Sequence, residues 1–436
     1  MNACFDQAKS HFLDGVQHFE AGRFAEAETH FLASLELLPG RVSTLSNLGA
    51  TRLGLGRPLE ALAVLDEALA VAPDDVQALG HRGVALAALQ RHADALACFD
   101  AVLAIEAGNV TACQGRARSL DALARPADAL AAFERLLTLQ PDHAEAWARR
   151  GQLLQRLNRG AEEALACYDR AVALAPDLGD AWSERGSLLK DLGRHDEAAH
   201  CFRQALAHGG DPELNRYFLA SVSGGKGAPA AAPGHYVQGL FDDYADDFDQ
   251  HLVGVLNYSA HRTLAAPLPA LREDGRYRSA LDLGCGTGLC GPQVRPFTDR
   301  LTGVDLAPRM LEKARTRGVY DELVAGDVVE HLRHTPQRHD LVLSADVFIY
   351  IGDLAPVFEG VARVMGPGGV FCFSAEQADD VWDFELTSSM RYAHSQRHVR
   401  ALAARFGFQV VQLFSQPFRE DQRQPIPGLF VYLVRI

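Results

Sequence analysis

A repeat constrains this chain more than any other feature. Gly49, Gly83, Gly151 and Gly186 share a register in which an alanine follows twelve residues on, or thirteen in the third copy: Ala61, Ala95, Ala164 and Ala198. Four residues further stand Leu65, Phe99, Tyr168 and Phe202, and three beyond those come Ala68, Val102, Ala171 and Ala205. The period is 34 residues, with one extra residue in the fifth unit near Gly160. Pro73, Pro141 and Pro176 close repeats, and Trp147 and Trp182 occupy one slot of successive units. A repeat of this length with apolar residues at helical spacing predicts stacked helical hairpins. Small residues at the Gly and Ala slots let two antiparallel helices approach, and the larger residues fill the space between one hairpin and the next. The prolines end second helices, because they lack the N–H that a helix interior needs.

Six units cover 8–41, 42–75, 76–109, 110–143, 144–178 and 179–212. The first carries Gly15, Gly22, Ala27, Phe31 and Pro39, and the fourth has Ala117 in the glycine slot. The pattern resembles the tetratricopeptide repeat. That resemblance implies an all-α solenoid over 1–223, with ELNRYFLASVS (213–223) as a capping helix. Two readings of its concave face stand. It holds an unidentified protein partner or protein substrate, or it is a scaffold for assembly. No Lys and Asn recur at one slot, so no peptide-binding residue is named. GGKGAPAAAPG (224–234) has no periodicity and reads as an irregular hinge, with the domain boundary near 225.

A length of 436 residues exceeds one ordinary domain. A net charge of −14 opposes general affinity for nucleic acid or anionic membranes. The start, MNACFDQAKSHFLDG, shows no secretory leader, and no apolar run approaches the ~18 residues of a membrane span. The expectation is a cytoplasmic protein with no nucleic-acid partner and no membrane span. Its eight cysteines form no CxxC pair, as for buried free thiols in a reducing compartment.

After the hinge, residues 235–258 place Leu240, Tyr244, Phe248 and Leu252 at helical spacing, with the intervening aspartates on a solvated face. Residues 259–436 then alternate apolar runs with helical ones. RYRSALDL enters a glycine turn, LTGVDLA ends in Asp305, DELVAGDVVEHL carries Asp327 at its tip, and HDLVLSADVFIYI carries Asp346 past its end. VARVMGPGGVFCFSAE holds a helix end, a Pro-Gly-Gly turn and a fifth strand. Such alternation predicts a mostly parallel, doubly wound sheet. QVVQLFSQPFRE and GLFVYLVRI, with no helix between them, predict a terminal antiparallel hairpin.

LDLGCGTG (281–288) is the most informative short stretch. A glycine-rich strand-to-helix turn brings backbone N–H groups close to a ligand. The dinucleotide fingerprint GxGxxG needs glycine at 289, which is Leu289, and no GK[ST] of a P-loop is present. The turn is Gly284-x-Gly286-x-Gly288 after Asp282. This motif, with 235–436 as a whole, resembles the Rossmann-like fold of class I S-adenosylmethionine-dependent methyltransferases. The resemblance implies S-adenosyl-L-methionine as cofactor and a set of roles. Gly284, Cys285, Gly286 and Gly288 hold its amino-acid part, with Asp282 near the ammonium. Asp305, 23 residues after Asp282, accepts the ribose hydroxyls. Asp327 reads the adenine amino group with Val328 beside it, and Leu306 and Met310 flank the ring. Asp346 lines the methyl-transfer mouth. Independently of family, carboxylates at the carboxyl ends of parallel strands face the crevice where open α/β sheets bind ligands.

YVQGLFDDYADDFDQHLVGVLNY and the late RYAHS resemble a bacterial group of methyltransferases with N-terminal tetratricopeptide repeats. By that resemblance Tyr236, Tyr244 and Phe248 form a lid; the plainer alternative is that they pack their helix onto the sheet. A base is needed where the acceptor is a hydroxyl or a protonated amine. His394 is the candidate, against a structural role, and Asp346, Tyr350 and Glu376 are possible mouth residues. Arg391 and Arg419 suit an acidic acceptor, although surface arginines are usually just solvated. No DNA-type [DNS]PP[YFW] motif stands at Ser344-Ala345-Asp346-Val347, no paired-glutamate loop follows the fourth strand, and no metal site is visible. The acceptor is then a small molecule, a lipid-like compound or a protein. Three functions remain open: a methyltransferase whose repeats bring a protein, a small-molecule methyltransferase whose repeats serve assembly, and an inactive adaptor.

Overall fold

The computed structural model describes residues 2–421 and 424–436. Six consecutive helix pairs come first: α1 (Asn2–Glu20) and α2 (Phe24–Leu37), α3 (Val42–Gly54) and α4 (Pro58–Val71), α5 (Val76–Ala88) and α6 (His92–Ile105), α7 (Val110–Ala122) and α8 (Pro126–Leu139), α9 (Ala144–Arg156) and α10 (Ala161–Leu174), α11 (Gly179–Asp191) and α12 (His195–Ala207). The repeat slots now have a physical meaning. A Cβ on Gly83 would come within 2.7 Å of the Phe99 ring, and one on Gly151 within 2.9 Å of the Tyr168 ring. The glycine slot and the large apolar slot are thus two sides of one close contact. The recurring tryptophans share a job too. The indoles of Trp147 and Trp182 each donate to a proline carbonyl, Pro141 and Pro176, at 2.9 Å. Asp75 and Asn109 cap α5 and α7 by accepting from Ala78 and Ala112 N–H.

The chain divides into two units, Met1–Leu188 and Leu189–Ile436, so the division falls inside α11 rather than near 225. The reason lies in α12 and in the next helix, α13 (Pro212–Val222). Phe202 of α12 packs on Phe218 of α13. Tyr217 of α13 is fully buried, donates its phenol hydrogen to the Met390 carbonyl, and stands 6.1 Å from the Tyr392 ring. The 224–234 stretch is no free hinge either. Ala232 N–H donates to the Tyr350 carbonyl, Gly352 and Asp353 N–H donate to the Ala230 carbonyl, and the Tyr392 phenol donates to the Pro229 carbonyl at 2.7 Å. The last helices therefore belong to the second unit by packing, although their sequence continues the repeat.

The rest of the second unit runs through α14 (Gly234–Tyr244), a π-helical stretch (Gln250–Val255), α15 (Ala260–Ala265), β1 (Tyr277–Leu283), α16 (Gly291–Val294), β2 (Thr298–Asp305), α17 (Pro308–Thr316), β3 (Glu322–Ala325), α18 (Val328–His334), β4 (His339–Ser344), α19 (Ala355–Val364), β5 (Met365–Gln377), β6 (Phe384–Leu386), β7 (Tyr392–His394), α20 (Gln396–Arg405), β8 (Phe408–Asp421) and β9 (Gln424–Arg435). Strands β3-β2-β1-β4-β5 are parallel neighbours in that order. β9 lies antiparallel beside β5, with Val370 opposite Val434, and β8 pairs with β9 as the expected hairpin. The RYAHS segment, unassigned in sequence, forms β7 and pairs with β5 at Glu376 and Gln377. Both sheet faces are covered. Phe371 and Phe373 of β5 enter a core with Val357, Phe358 and Val361 of α19, while Val370 and Cys372 enter another with Leu264 of α15 and Val294 of α16. A strand buried on both faces reads as a continuous apolar run, as Val370–Phe373 of β5 does in the sequence. Among the described residues no helix is long and apolar enough to cross a membrane.

Candidate active site

The carboxyl ends of β1, β2 and β4 converge on the glycine turn. Gly284 and Gly286 adopt φ of +69° and +53°. A Cβ on Gly284 would strike Val347 at 2.2 Å, whereas one on Gly286 would meet nothing within 4 Å. The first glycine is needed for packing, and the second leaves room for a ligand. Asp305, at the tip of β2, ties the turn down. Its Oδ2 accepts the Gly286 N–H at 2.7 Å and its Oδ1 accepts the Ala307 N–H at 2.9 Å. Burial pushes this carboxyl up, against the pull of those amides. Asp327 caps α18, its Oδ1 accepting from Val329 and Glu330 N–H at 2.9 Å. It is thus the turn residue that its sequence context suggests, and it also lines the cavity described below.

Asp346 follows β4 in the left-handed region, with φ of +61°. That conformation is costly for a side chain with a Cβ and tends to be found at functional sites. Its N–H donates to Ser374 Oγ at 3.0 Å, and its Oδ2 accepts from Arg419 Nη1 at 2.5 Å. Arg419 is 4% exposed and also pairs with Glu376, from which Arg391 lies 3.8 Å away. The expectation of a solvated Arg419 is corrected: two carboxylates hold it in the interior. Burial opposes its charge, but Asp346 and Glu376 keep it above its ordinary value, and burial pushes Asp346 up against the pull of Arg419.

α14 and the residues after it cover the glycine turn. Tyr244 meets Phe248 and His251 edge to face at 5.5 Å, and Phe241 meets Tyr350 edge to face at 5.6 Å. Phe241 and Phe248 pack on Ala307 and Met310. The intervening aspartates are not simply a solvated face. Asp242 accepts the Arg309 N–H at 3.0 Å, Asp246 pairs with Arg309 and Lys313 at 2.7 Å, and Asp249 accepts the Thr287 hydroxyl and pairs with Arg317. They pin this cover to α17 and to the glycine turn.

A cavity of about 600 Å³ lies beneath. Gly284, Cys285, Gly286, Asp305, Leu306 and Met310 line it, with Asp327 and Val328. Asp346, Arg391 and Arg419 form a second, charged set with the Tyr350 phenol beside them, and Phe241, Tyr244 and Phe248 are the aromatic cover. Five residues expected at the site stand outside the lining, among them Glu376, which is held behind it against Arg419. Asp282 is 1% exposed beneath the turn, where its Oδ2 accepts the Tyr320 phenol at 2.7 Å. Complete burial pushes it up to about 7, with the Tyr320 bond opposing and Asp305 adding to the rise. Gly288 packs under Tyr320 and Arg317. Tyr236 lies 5.7 Å from Phe218 and 5.9 Å from Tyr217, packing α14 on α13 rather than covering a ligand. His394, the expected base, is fully buried, with Nε2 3.0 Å from the Phe348 carbonyl, and burial pushes it down to about 4. It is not among the residues that line the cavity, whereas a general base must come within hydrogen-bond reach of the proton it takes.

Tyr258 and His261, whose rings stack at 5.5 Å, are among the lining residues that went unread in the sequence. His261 is 4% exposed with Nδ1 buried and unpaired, and burial lowers its pKa. The signal was one imidazole inside the apolar helical run SAHRTLAA.

An open, largely parallel sheet with this glycine turn and acidic tips on β2 and β4 defines the class I methyltransferase fold. Comparison with known families gives the same result. Residues 281–373 match the methyltransferase domain, and residues 47–110, 115–179 and 179–211 match tetratricopeptide repeats. The chain joins tetratricopeptide repeats to a class I methyltransferase domain. It is 35% identical over 121 residues to a malonyl-(acyl-carrier protein) O-methyltransferase of Serratia marcescens, covering 28% of this chain and 46% of that one. It is 29% identical over 108 residues to a ubiquinone biosynthesis O-methyltransferase of Proteus mirabilis, covering 24% and 44%. The chain thus spans less than half the length of these relatives. MamA from Desulfovibrio magneticus is similar to 38% of this chain over 94% of its own, at 24% identity and a TM-score of 0.37.

Proposed function

We propose that this chain binds S-adenosyl-L-methionine in the cavity and directs its methyl group to an oxygen or nitrogen acceptor, oxygen being favoured by the O-methyltransferase relatives. One observation carries the reading: a single cavity joins the Gly286 turn, Asp305 and Asp327 to the charged set of Asp346, Arg391 and Arg419. Its volume is that of a small-molecule site. The unpaired buried atoms Asp346 Oδ1, Tyr244 Oη and His261 Nδ1 are polar groups suited to a bound ligand.

The bound donor would supply an electrophilic methyl group on a sulfonium, so the protein's work is positioning and exclusion of water. Each Asp305 oxygen keeps a lone pair beyond its amide bond, which suits a vicinal diol. Asp327 would use Oδ2 for the adenine amino group while Oδ1 keeps its cap. Leu306 and Met310 would flank the ring. Gly284, Cys285 and Gly286 would hold the amino-acid part, with Asp282 acting from below through Tyr320 as a positioning residue. Tyr244 and Phe248 would exclude water. Asp346 and Tyr350 would line the mouth. Burial pushes Tyr350 up to about 12, so it serves as a hydroxyl donor rather than a base. The repeats would recruit a protein partner or a protein-borne acceptor.

The test is calorimetric titration with S-adenosyl-L-methionine and, separately, NAD. Micromolar binding of the first alone, lost in Asp305→Ala, is the expected result. Binding of neither ligand would overturn the reading and favour an adaptor. Methyl-labelled donor in cell extract, with the full chain and with 189–436, then separates the acceptors. A labelled product that needs the first unit is protein-borne, and one that does not is a small molecule.

A further inference from the structure

The first unit carries a cluster that methyl transfer does not use. His11, Asp14 and His18 are spaced to share one face of α1, and His30 meets them from α2. His11 Nδ1 and His30 Nδ1 are 3.4 Å apart, and His30 Nδ1 is 3.9 Å from Asp14 Oδ2. The ligand atoms of His11, Asp14 and His30 all lie within 4.8 Å of one another. Two ligands of a tetrahedral zinc ion, each at ~2.0–2.1 Å, stand about 3.3–3.4 Å from each other. The imidazole pair already has that separation. The Asp14 side chain is 49% exposed and can swing inward without disturbing packing.

We propose that His11, Asp14 and His30 bind a divalent transition-metal ion of the Zn²⁺ type, with water as the fourth ligand. Two imidazole nitrogens and one carboxylate suit zinc or its neighbours rather than the all-oxygen shells of Ca²⁺ and Mg²⁺. His18 is not a ligand in this arrangement. Its Nδ1 accepts from Arg23 Nε at 2.9 Å, and its ring stacks on His30 at 5.1 Å, which orients the His30 imidazole. With two ligands on α1 and one on α2, the ion would clip the first hairpin together.

The tag-free full-length chain, dialysed against a chelator, is titrated with Zn²⁺ by calorimetry and with Co²⁺ by visible absorption. One equivalent per chain is expected, with the intense d–d bands of four-coordinate cobalt. Affinity should fall more than roughly tenfold in His11→Gln and in His30→Gln, each checked by circular dichroism for retained helix. Cys4→Ser controls for the exposed thiol nearby in sequence and should bind as wild type. No binding at millimolar metal, undiminished binding in His30→Gln, or loss of binding in Cys4→Ser would each overturn the site.

Discussion

Asp305 holds the turn and faces the cavity at once, so its removal should cost binding without destroying the sheet. Two charge-assisted hydrogen bonds are worth about 3 kcal/mol together, so Asp305→Ala should weaken S-adenosyl-L-methionine binding roughly 100-fold. Asp282 gives a pH effect. Its ordinary value is 3.8 and its folded value about 7, so between these the native state holds a proton that the unfolded chain has released. The stability of the neutral, buried carboxyl is present at pH 4 and is lost as pH rises through 7. Asp282→Asn removes that loss, and its gain in melting temperature over wild type should be larger at pH 8 than at pH 5. An equal gain at both would show that Asp282 does not titrate there. Arg419 between Asp346 and Glu376 is a buried ionic set whose parts depend on each other. Arg419→Met takes from Asp346 its guanidinium partner and leaves Glu376 with the more distant Arg391 at 3.8 Å, and should cost about 3–5 kcal/mol in chemical denaturation. Adding Glu376→Gln should recover part of it.

Within a single helix, α5, two glycines should respond oppositely to the same change. A Cβ at Gly80 meets nothing within 4 Å, while one at Gly83 meets the Phe99 ring at 2.7 Å. Gly80→Ala therefore gains helix propensity of about 1 kcal/mol. Gly83→Ala gains the same propensity but forces the ring to move, an overpacking cost of about 1–3 kcal/mol. Melting curves should show the first variant more stable and the second less. The repeat was legible because this contact recurs at a fixed spacing, which periodicity exposes directly. The cover of the cavity was legible only in part. Its apolar positions stand out at helical spacing, but the partners of Asp242, Asp246 and Asp249 are Arg309, Lys313 and Arg317, more than sixty residues away.

At the scale of the molecule, the unit boundary makes a prediction of its own. A fragment 189–436 keeps α12 and α13 and should fold, with a cooperative melt. A fragment 224–436 strips Tyr217 and Phe218 from Tyr236, Met390 and Tyr392, and should be poorly folded or aggregate. Equal behaviour of the two would show that α13 is dispensable to the second unit.

Sequence by itself determined the six helix pairs, the alternation of strand and helix, and the acidic tips around one glycine turn. Each is a local pattern whose spacing follows from helix or strand geometry. Tertiary structure alone decided that His394 and Asp282 lie away from the cavity wall, that Tyr236 packs on α13, and that Arg419 is buried. It also decided that the last repeat helix and its cap join the second unit. These outcomes depend on which surfaces meet across long stretches of chain. The sequence around each residue carries the chemistry of its side chain, not the identity of the neighbour that buries it.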